Sequence, residues 1–222
     1  DAISPETRAF NQQLAEQMKG RPKPWETQPD GAPPSRMFAS PQSPRAKTIV
    51  AEVKGRPAAD LHVVAPDNPK GVYLHIHGGG LIMGSAKDQD GMLERIMNAT
   101  GLACASVEYR LAPQHPYPEG WDDCETAALW LARNAKAEFG SDWLSIGGES
   151  AGATLAVPTL VRMRDKHGFT GFKAANLSYG NYDTTMTPSQ HWVGGESFFL
   201  ETRDIQYCTS LYAPDPATRR SP

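Results

Sequence analysis

The chain has 222 residues, of which 39% are apolar, with a formal net charge of −3 and an isoelectric point near 6.1. These values fit one globular domain with a substantial core, or such a domain plus a small appendage. The small, mixed charge excludes the usual signature of a nucleic-acid or acidic-membrane partner, and we expect no membrane span and no secretory leader.

The first 45 residues are predicted to form a cover over the domain rather than part of its core. A capping serine, Ser4, is followed by proline and glutamate, which predicts a helix start. A narrow apolar stripe then recurs every four residues and ends at Gly20. Residues 21–44 contain seven prolines, which predicts a linker or flap without regular structure. Because the chain begins at Asp1 without methionine, we expect the true start to lie upstream or to have been trimmed.

Residues 46–185 are predicted to form the core. Two short β-rich runs, Lys47–Val53 and Leu61–Ala65, indicate an antiparallel pair. Strands then alternate with helices, which predicts an α/β fold whose mostly parallel sheet is covered by helices on both faces. The further predicted strands are Gly71–Ile76, Leu102–Val107, Trp143–Ile146 and Ala174–Tyr179. Three helices are predicted here: the first begins at Asp88 or Asp90, the second spans Trp121 to Ala135, and the third follows Ser150.

A Gly-x-Ser-x-Gly pattern at residues 148–152 follows the third of these buried strands and opens a helix. A serine at such a sharp turn is strained, so its flanking residues must lack bulk where strand and helix nearly collide. The strain lifts the hydroxyl of Ser150 above the sheet edge. The next helix directs its N-terminal amides and positive dipole end at negative charge that develops there.

A second glycine-rich segment, His77 followed by Gly78, Gly79 and Gly80, comes directly off a buried strand. Consecutive glycines leave their amides unshielded, so with the amide of Ala151 they could form an oxyanion hole. A phosphate-binding turn is the alternative, although neither standard phosphate-loop pattern is present. His77 itself is interpreted as a residue that orients the loop by hydrogen bonding, rather than as a proton carrier.

Three motifs together resemble the hormone-sensitive-lipase-like family of α/β-hydrolase esterases, over roughly Val50 to Gly180. They stand in the family's order and spacing: His77–Gly80, Glu108–Pro113 followed by His115–Pro118, and Gly148–Gly152. The resemblance implies that Ser150 is the nucleophile and that Gly79, Gly80 and Ala151 supply the oxyanion amides.

The same resemblance implies a helical cap, to which the N-terminal helix and flap would belong, and a structural role for Tyr109–Pro113. It implies no metal and no organic cofactor. The family more often carries aspartate at the position of Glu149, so glutamate there is a mild departure.

No convincing base or acid follows Ser150, although the hydrolase order places both after the serine. His167 is interpreted as a helix cap and His191 as a residue of the cap loop, while the possible acids, Asp183, Asp204 and Asp215, follow no recognisable late strand. Residues 186–222 resemble a second cap segment that leads towards the strands carrying acid and base. We therefore expect the last strands to be missing and an apolar sheet edge to be exposed.

Three functions remain open at this stage. The first is a carboxylic ester hydrolase that acts on small acyl esters through an acyl-enzyme. The second is a non-catalytic relative that binds a small acid or ester, and the third is a fragment whose exposed edge pairs with another copy as a homodimer. An acyl pocket could be lined by Leu81, Ile82, Trp192, Phe198 and Phe199, or these could be ordinary buried residues.

The cysteines, Cys104, Cys124 and Cys208, are odd in number and widely spaced. They predict reduced thiols in a cytoplasmic protein, rather than a disulfide framework or a zinc site.

Overall fold

The computed structural model describes residues 3–20, 22–27, 41–192 and 200–220. Two 3₁₀ helices, Ala86–Gln89 and Thr218–Arg220, accompany the main elements. The strands are β1 (Ala46–Ala51), β2 (Ala59–Val64), β3 (Val72–Ile76), β4 (Ala103–Glu108), β5 (Leu144–Glu149) and β6 (Phe172–Ser178). The helices are α1 (Pro5–Met18), α2 (Pro24–Thr27), α3 (Asp90–Thr100), α4 (Glu119–Phe139), α5 (Ala151–His167), α6 (Pro188–Trp192) and α7 (Thr202–Tyr212).

The strands form one six-stranded sheet in the order β1-β2-β4-β3-β5-β6. β1 and β2 pair antiparallel, as predicted, and β2 pairs antiparallel with β4, whereas β4, β3, β5 and β6 are mutually parallel. The predicted mostly parallel α/β sheet is therefore confirmed. In the register of β3 and β5, Ile76 lies opposite Gly148. Because parallel strands end at the same sheet edge, the loop after β3 and the turn after β5 are neighbours.

Alternating side chains divide the core between the two faces of the sheet. On one face Tyr73 and Cys104 pack against Leu93 and Met97 of α3. The other face carries the larger cluster, in which strand residues such as Leu74 pack with α4 and α5. Burying each large aliphatic side chain contributes about 1.5–3 kcal/mol, so this sandwich holds the ends of β3 and β5 in place.

Strand β6 departs from the predicted coverage of both sheet faces. Residues 173–177 are exposed on both sides of the strand, and Leu177 retains 39% of its accessible surface. Within the described residues no strand pairs with the outer edge of β6. An exposed edge of this kind was expected from the sequence, and the structure places it at β6.

The N-terminal segment is partly as predicted. Ser4 caps α1, since its side chain accepts a hydrogen bond from the amide of Thr7 at 3.2 Å. The prediction of no regular structure in the proline-rich stretch is wrong at α2, which begins at Pro24. Proline is tolerated in a first helical turn, and Trp25 anchors this turn by donating to Asp204 at 3.1 Å. Residues 28–40 of the stretch lie outside the described residues.

A buried carboxylate fastens α5 to α4 and to the β1–β2 connection. Glu125, whose side chain is 1% exposed, accepts hydrogen bonds from Arg56 at 3.1 Å, Arg162 at 2.9 Å and His167 at 2.7 Å. Burial alone would raise the pKa of Glu125, but the hydrogen bond from His167 and the charges of Arg56, Lys166 and Arg162 lower it overall.

We expect Glu125→Ala to lower the free energy of unfolding by about 3 kcal/mol, because it removes the buried carboxylate that the partly buried guanidinium groups of Arg56 and Arg162 share. The matched control, Glu138→Ala, removes an exposed partner of Lys47 and should cost less than about 1 kcal/mol. The pKa of folded Glu125 is depressed, so its contribution is present above the ordinary value of 4.5 and is lost as pH falls through the folded value. Urea unfolding between pH 3 and pH 7 measures both effects. Equal losses of unfolding free energy in Glu125→Ala and Glu138→Ala would contradict a stabilising role of the buried Glu125 carboxylate.

None of the helices in the described part of the chain combines the length and apolar character that crossing a membrane requires.

Candidate active site

Ser150 stands alone between the end of β5 and the start of α5. Its backbone has φ 53° and ψ −120°, a conformation that costs a residue with a side chain about 1–3 kcal/mol. Hydrogen bonds hold the turn on both sides: the amide of Ser150 donates to the Ser178 carbonyl at 2.9 Å, and its carbonyl accepts from the Thr154 amide at 3.0 Å. The predicted strand–serine–helix turn is present.

The glycines at 148 and 152 are required by the backbone of the neighbouring strand. A Cβ on Gly148 would lie 2.0 Å from the carbonyl oxygen of Ile76, and one on Gly152 only 1.8 Å from the same atom. The Cβ of Gly148 would also approach Gly152 to 2.9 Å, so strand and helix do nearly collide. The tightest contact, however, comes from β3, which the sequence pattern did not reveal.

The loop after β3 makes a tight turn at its glycine run. Gly79 and Gly80 have φ values of 121° and 63°, and the Gly79 carbonyl accepts hydrogen bonds from the amides of Ile82 and Met83. Among the described residues, no acceptor takes a hydrogen bond from the amides of Gly79, Gly80 or Ala151. An amide of this kind can donate to an oxygen atom of a ligand, provided that the ligand reaches it.

His77 holds this loop through a hydrogen bond and a ring contact. Its Nδ1 donates to the Gly78 carbonyl at 2.7 Å, its ring stacks on Tyr109 with centroids 4.2 Å apart, and the Tyr109 hydroxyl donates to the His77 carbonyl at 3.0 Å. Burial lowers the pKa of His77 to about 4, so the ring is neutral near pH 7. Since peptide C=O and N–H groups point in opposite directions, drawing the Gly78 carbonyl towards the ring turns the Gly79 amide away from it.

A phosphate-binding role for the loop is disfavoured by its neighbours. The Gly78 amide already donates to the carboxylate of Glu149 at 2.8 Å. The loop also leads into a 3₁₀ helix rather than directly into an α-helix. A phosphate bound at the Gly78 amide would have to displace the Glu149 carboxylate.

The Tyr109–Pro113 motif has the structural role expected for it. Arg110 donates to both carboxylate oxygens of Asp123 at 2.8–3.1 Å and also bonds Glu119, while its amide donates to Asp123 at 2.9 Å. These contacts fix the segment after β4 against the first turns of α4.

Helix α7 lies against the glycine loop through Cys208. The sulfur of Cys208 is 2.7 Å from where a Cβ on Gly80 would be, a contact that no pattern in the sequence predicted. Burial raises the pKa of this thiol to about 12, so it is uncharged. Of the predicted acyl-pocket residues, Leu81 and Ile82 are buried in the main core cluster. The side chain of Trp192, and Phe198 and Phe199, lie outside the described residues.

The structure brings none of the later histidines to Ser150. His167 bonds Glu125, and Gly168, with φ 64°, caps α5 instead, so the interpretation of His167 as a helix cap is wrong. His191 is exposed and lines a cleft of about 530 Å³ beside α7. Within the described residues the Ser150 hydroxyl makes no hydrogen bond to a histidine.

The three possible acids are all hydrogen-bonded to groups other than a histidine. Asp204 forms a capping box with Glu201, Asp183 accepts from Thr185, and Asp215 accepts from the amide of Ala217. Among the described residues, no group of three or more metal-ligating side chains could hold a metal ion. Each of the three cysteines has a free thiol.

A family model described as the alpha/beta hydrolase fold matches residues 73–222. The chain belongs to the α/β-hydrolase family. The resemblance to the hormone-sensitive-lipase-like branch is confirmed as well, because the matched relatives include several esterases.

The relatives are longer than this chain. A carboxylic ester hydrolase, LipN, of Mycobacterium tuberculosis is 31% identical over 149 residues, which cover 65% of this chain and 40% of LipN. An acetyl esterase of Salmonella schwarzengrund is 28% identical over 153 residues, 68% of this chain and 47% of that enzyme. A solved hyperthermophilic esterase from Pyrobaculum calidifontis superimposes with a TM-score of 0.78 at 28% identity, covering 99% of this chain and 73% of its own. The chain thus spans less than half the length of these two curated relatives.

Proposed function

We propose that this α/β-hydrolase is a carboxylic ester hydrolase that works through a serine acyl-enzyme. The observation that carries the proposal is the strained Ser150, at φ 53°, next to Ala151, whose amide, like those of Gly79 and Gly80, has no hydrogen-bond acceptor among the described residues. A hydroxyl at a strand-to-helix turn and amides without partners are the two groups that acyl transfer needs at one place.

The chemistry follows from their arrangement. The Ser150 hydroxyl gives its proton to a general base and attacks the ester carbonyl, forming a tetrahedral intermediate. Its oxyanion accepts hydrogen bonds from the three amides, and the dipole of the 17-residue helix α5 adds to their effect. Collapse of the intermediate expels the alcohol and leaves the acyl group on Ser150, from which water then releases the acid. The proposal assigns the nucleophile and the oxyanion donors; the described residues assign no base.

The proposed substrates are esters of small acids. Two observations support this choice: relatives in Salmonella are named acetyl esterases, and α7 packs directly on the glycine loop through Cys208, which limits the space above Gly80. The buried free thiols of Cys104 and Cys124 also agree with a reducing, cytoplasmic location, which we propose alongside the activity.

Binding without turnover is the second candidate. It is favoured by one observation, that the Ser150 hydroxyl has no histidine partner among the described residues, and it would use the same glycine amides to hold a small acid or ester. The two candidates differ in whether Ser150 becomes acylated.

A serine-reactive fluorophosphonate separates the two candidates. We expect the purified protein to gain one adduct by intact mass, and peptide mapping to place that adduct on Ser150. An adduct on another serine would contradict the assignment. No adduct, together with saturable binding of phenyl acetate, would replace hydrolysis by the binding function.

A further inference from the structure

The side chain of Glu149 connects the two halves of the site. Glu149 directly precedes Ser150, and its Oε1 accepts a hydrogen bond from the amide of Gly78 at 2.8 Å, across 71 positions of sequence. Its Oε2 lies 2.9 Å from Nε2 of His75. The carboxylate therefore links the glycine loop to the nucleophile turn, and it does so from a side chain that is only 18% exposed.

His75 is itself fixed by a second partner. Its ring is fully buried, and its Nδ1 lies 2.8 Å from Oγ of Ser106, the residue opposite it on β4. Burial alone would raise the pKa of Glu149, but the hydrogen bonds from His75 and Gly78 lower it, so the carboxylate is ionised. An ionised carboxylate only accepts, so Nε2 of His75 donates to it, while Nδ1 shares a second hydrogen bond with the Ser106 hydroxyl.

These bonds form a continuous path. The Ser106 hydroxyl is hydrogen-bonded to His75, His75 donates to Glu149, and the Gly78 amide donates to the same carboxylate. Each donor has one acceptor, so rotation of the Glu149 carboxylate would break two bonds at once. The loop, by contrast, is made of glycines, which lack any side chain to restrict their backbone.

We propose that Glu149, held by His75 and Ser106, is a positioning residue for the oxyanion loop. It fixes the Gly78 amide, and through this amide it sets where the Gly79 and Gly80 amides lie relative to Ser150. This inference rests on the proposed function, because positioning matters for catalysis only if those amides bind the oxyanion.

The length of the side chain matters to this role. Aspartate is shorter by one methylene, a reach of about 1.5 Å, so it could not keep both the 2.8 Å bond to Gly78 and the 2.9 Å bond to His75. Glutamine keeps the length and the acceptor for Gly78 but removes the charge. These two replacements separate reach from charge.

The first readout does not depend on activity. Amide hydrogen exchange at Gly78, followed by NMR in the purified protein, should be at least about tenfold faster in Glu149→Ala, since the amide loses its acceptor. Glu149→Gln should retain most of the protection. Thr159→Val is the matched control, because Thr159 is buried in α5 and its hydroxyl donates to the Leu155 carbonyl of the same helix. This variant should leave the exchange rate at Gly78 unchanged.

The second readout is steady-state hydrolysis of p-nitrophenyl acetate. We expect Glu149→Ala to lower kcat by about 100-fold, and Glu149→Asp to lower it less, with KM changed less than about threefold in both, because misplaced oxyanion donors weaken the transition state more than the ground state. Glu149→Gln should recover at least about a third of the parent kcat. Thermal unfolding of each variant verifies that the compared proteins are folded.

The outcomes separate this inference from the proposed function. Unchanged exchange at Gly78 in Glu149→Ala, or a kcat equal to the parent's, overturns the positioning role even if Ser150 is required for turnover. Turnover that persists without Ser150 overturns the proposed function, whatever the exchange at Gly78 shows. Equal losses of kcat in the Ala and Gln variants, with equal exchange rates, would also count against positioning through Gly78.

Discussion

Ser150→Ala is expected to lower kcat for p-nitrophenyl acetate by at least about 10⁴-fold. Removing the nucleophile of a serine hydrolase leaves only the catalysis supplied by the oxyanion donors and by binding. The backbone of the turn should survive, because the bonds of residue 150 to Ser178 and Thr154 use its amide and carbonyl rather than its hydroxyl. Initial rates and thermal unfolding, measured on the same preparation, test both parts of the expectation.

Two further variants sharpen this test. Ser178 lies beside the turn, and among the described residues Ser178→Ala loses one side-chain bond, to Asn176, so it should retain the parent's kcat within about twofold. Ser150→Gly should be as inactive as Ser150→Ala but more stable than it by about 1 kcal/mol. Glycine adopts φ 53° without strain, and this gain is partly offset because glycine makes the unfolded chain more flexible. A Ser150→Ala protein that keeps more than a tenth of the parent's kcat would rule out Ser150 as the nucleophile.

Gly152→Ala is expected to cost at least about 4 kcal/mol of unfolding free energy, a large fraction of the 5–15 kcal/mol typical of whole proteins. The new Cβ would lie 1.8 Å from the carbonyl oxygen of Ile76, 2.6 Å from its carbonyl carbon and 2.9 Å from the His77 carbonyl oxygen. All three are backbone atoms of the central strand or of the loop that follows it, so no side-chain rotation relieves the contact. The displacement would also move the glycine loop, so activity should fall with stability.

Gly168→Ala is the matched control for this variant. Gly168 caps the C-terminal end of α5, but has open space around the position of a Cβ and a φ of 64°. It should cost only the strain of a left-handed alanine, about 1–2 kcal/mol. Urea unfolding of the two variants makes the comparison. Similar losses in both would mean that backbone conformation, rather than the contact with β3, explains the glycine at 152.

Local physics allowed the order of elements to be predicted from the sequence. Proline after a capping serine starts α1, the apolar runs 72–76 and 144–146 are buried strands, and strand–helix alternation produces the parallel sheet. The Gly-x-Ser-x-Gly pattern predicted the strained turn because its requirement is local, a sharp reversal between a strand and the helix directly after it. The same holds for the glycine run after β3, whose positive φ values depend on residues a few positions apart.

The partners of the polar side chains could not be predicted in this way. Periodicity shows which face of an element is buried, but which residues meet depends on strand order and register. In this protein β4 lies between β2 and β3, so His75 meets Ser106, and β5 beside β3 brings Glu149 to Gly78. For the same reason His167 was interpreted as a helix cap, although α4 places Glu125 next to it.

The sequence by itself therefore determined the fold class, the strained serine and the glycine loop, since each follows from the chain's own neighbours. Only the tertiary structure decided why Gly148 and Gly152 admit no side chain, because the obstructing Ile76 carbonyl belongs to a strand more than 70 positions away. It also decided that Glu149 holds the loop and that Cys208 covers Gly80. Contacts of this kind arise when packed layers bring distant segments together, and no local pattern in the chain encodes them.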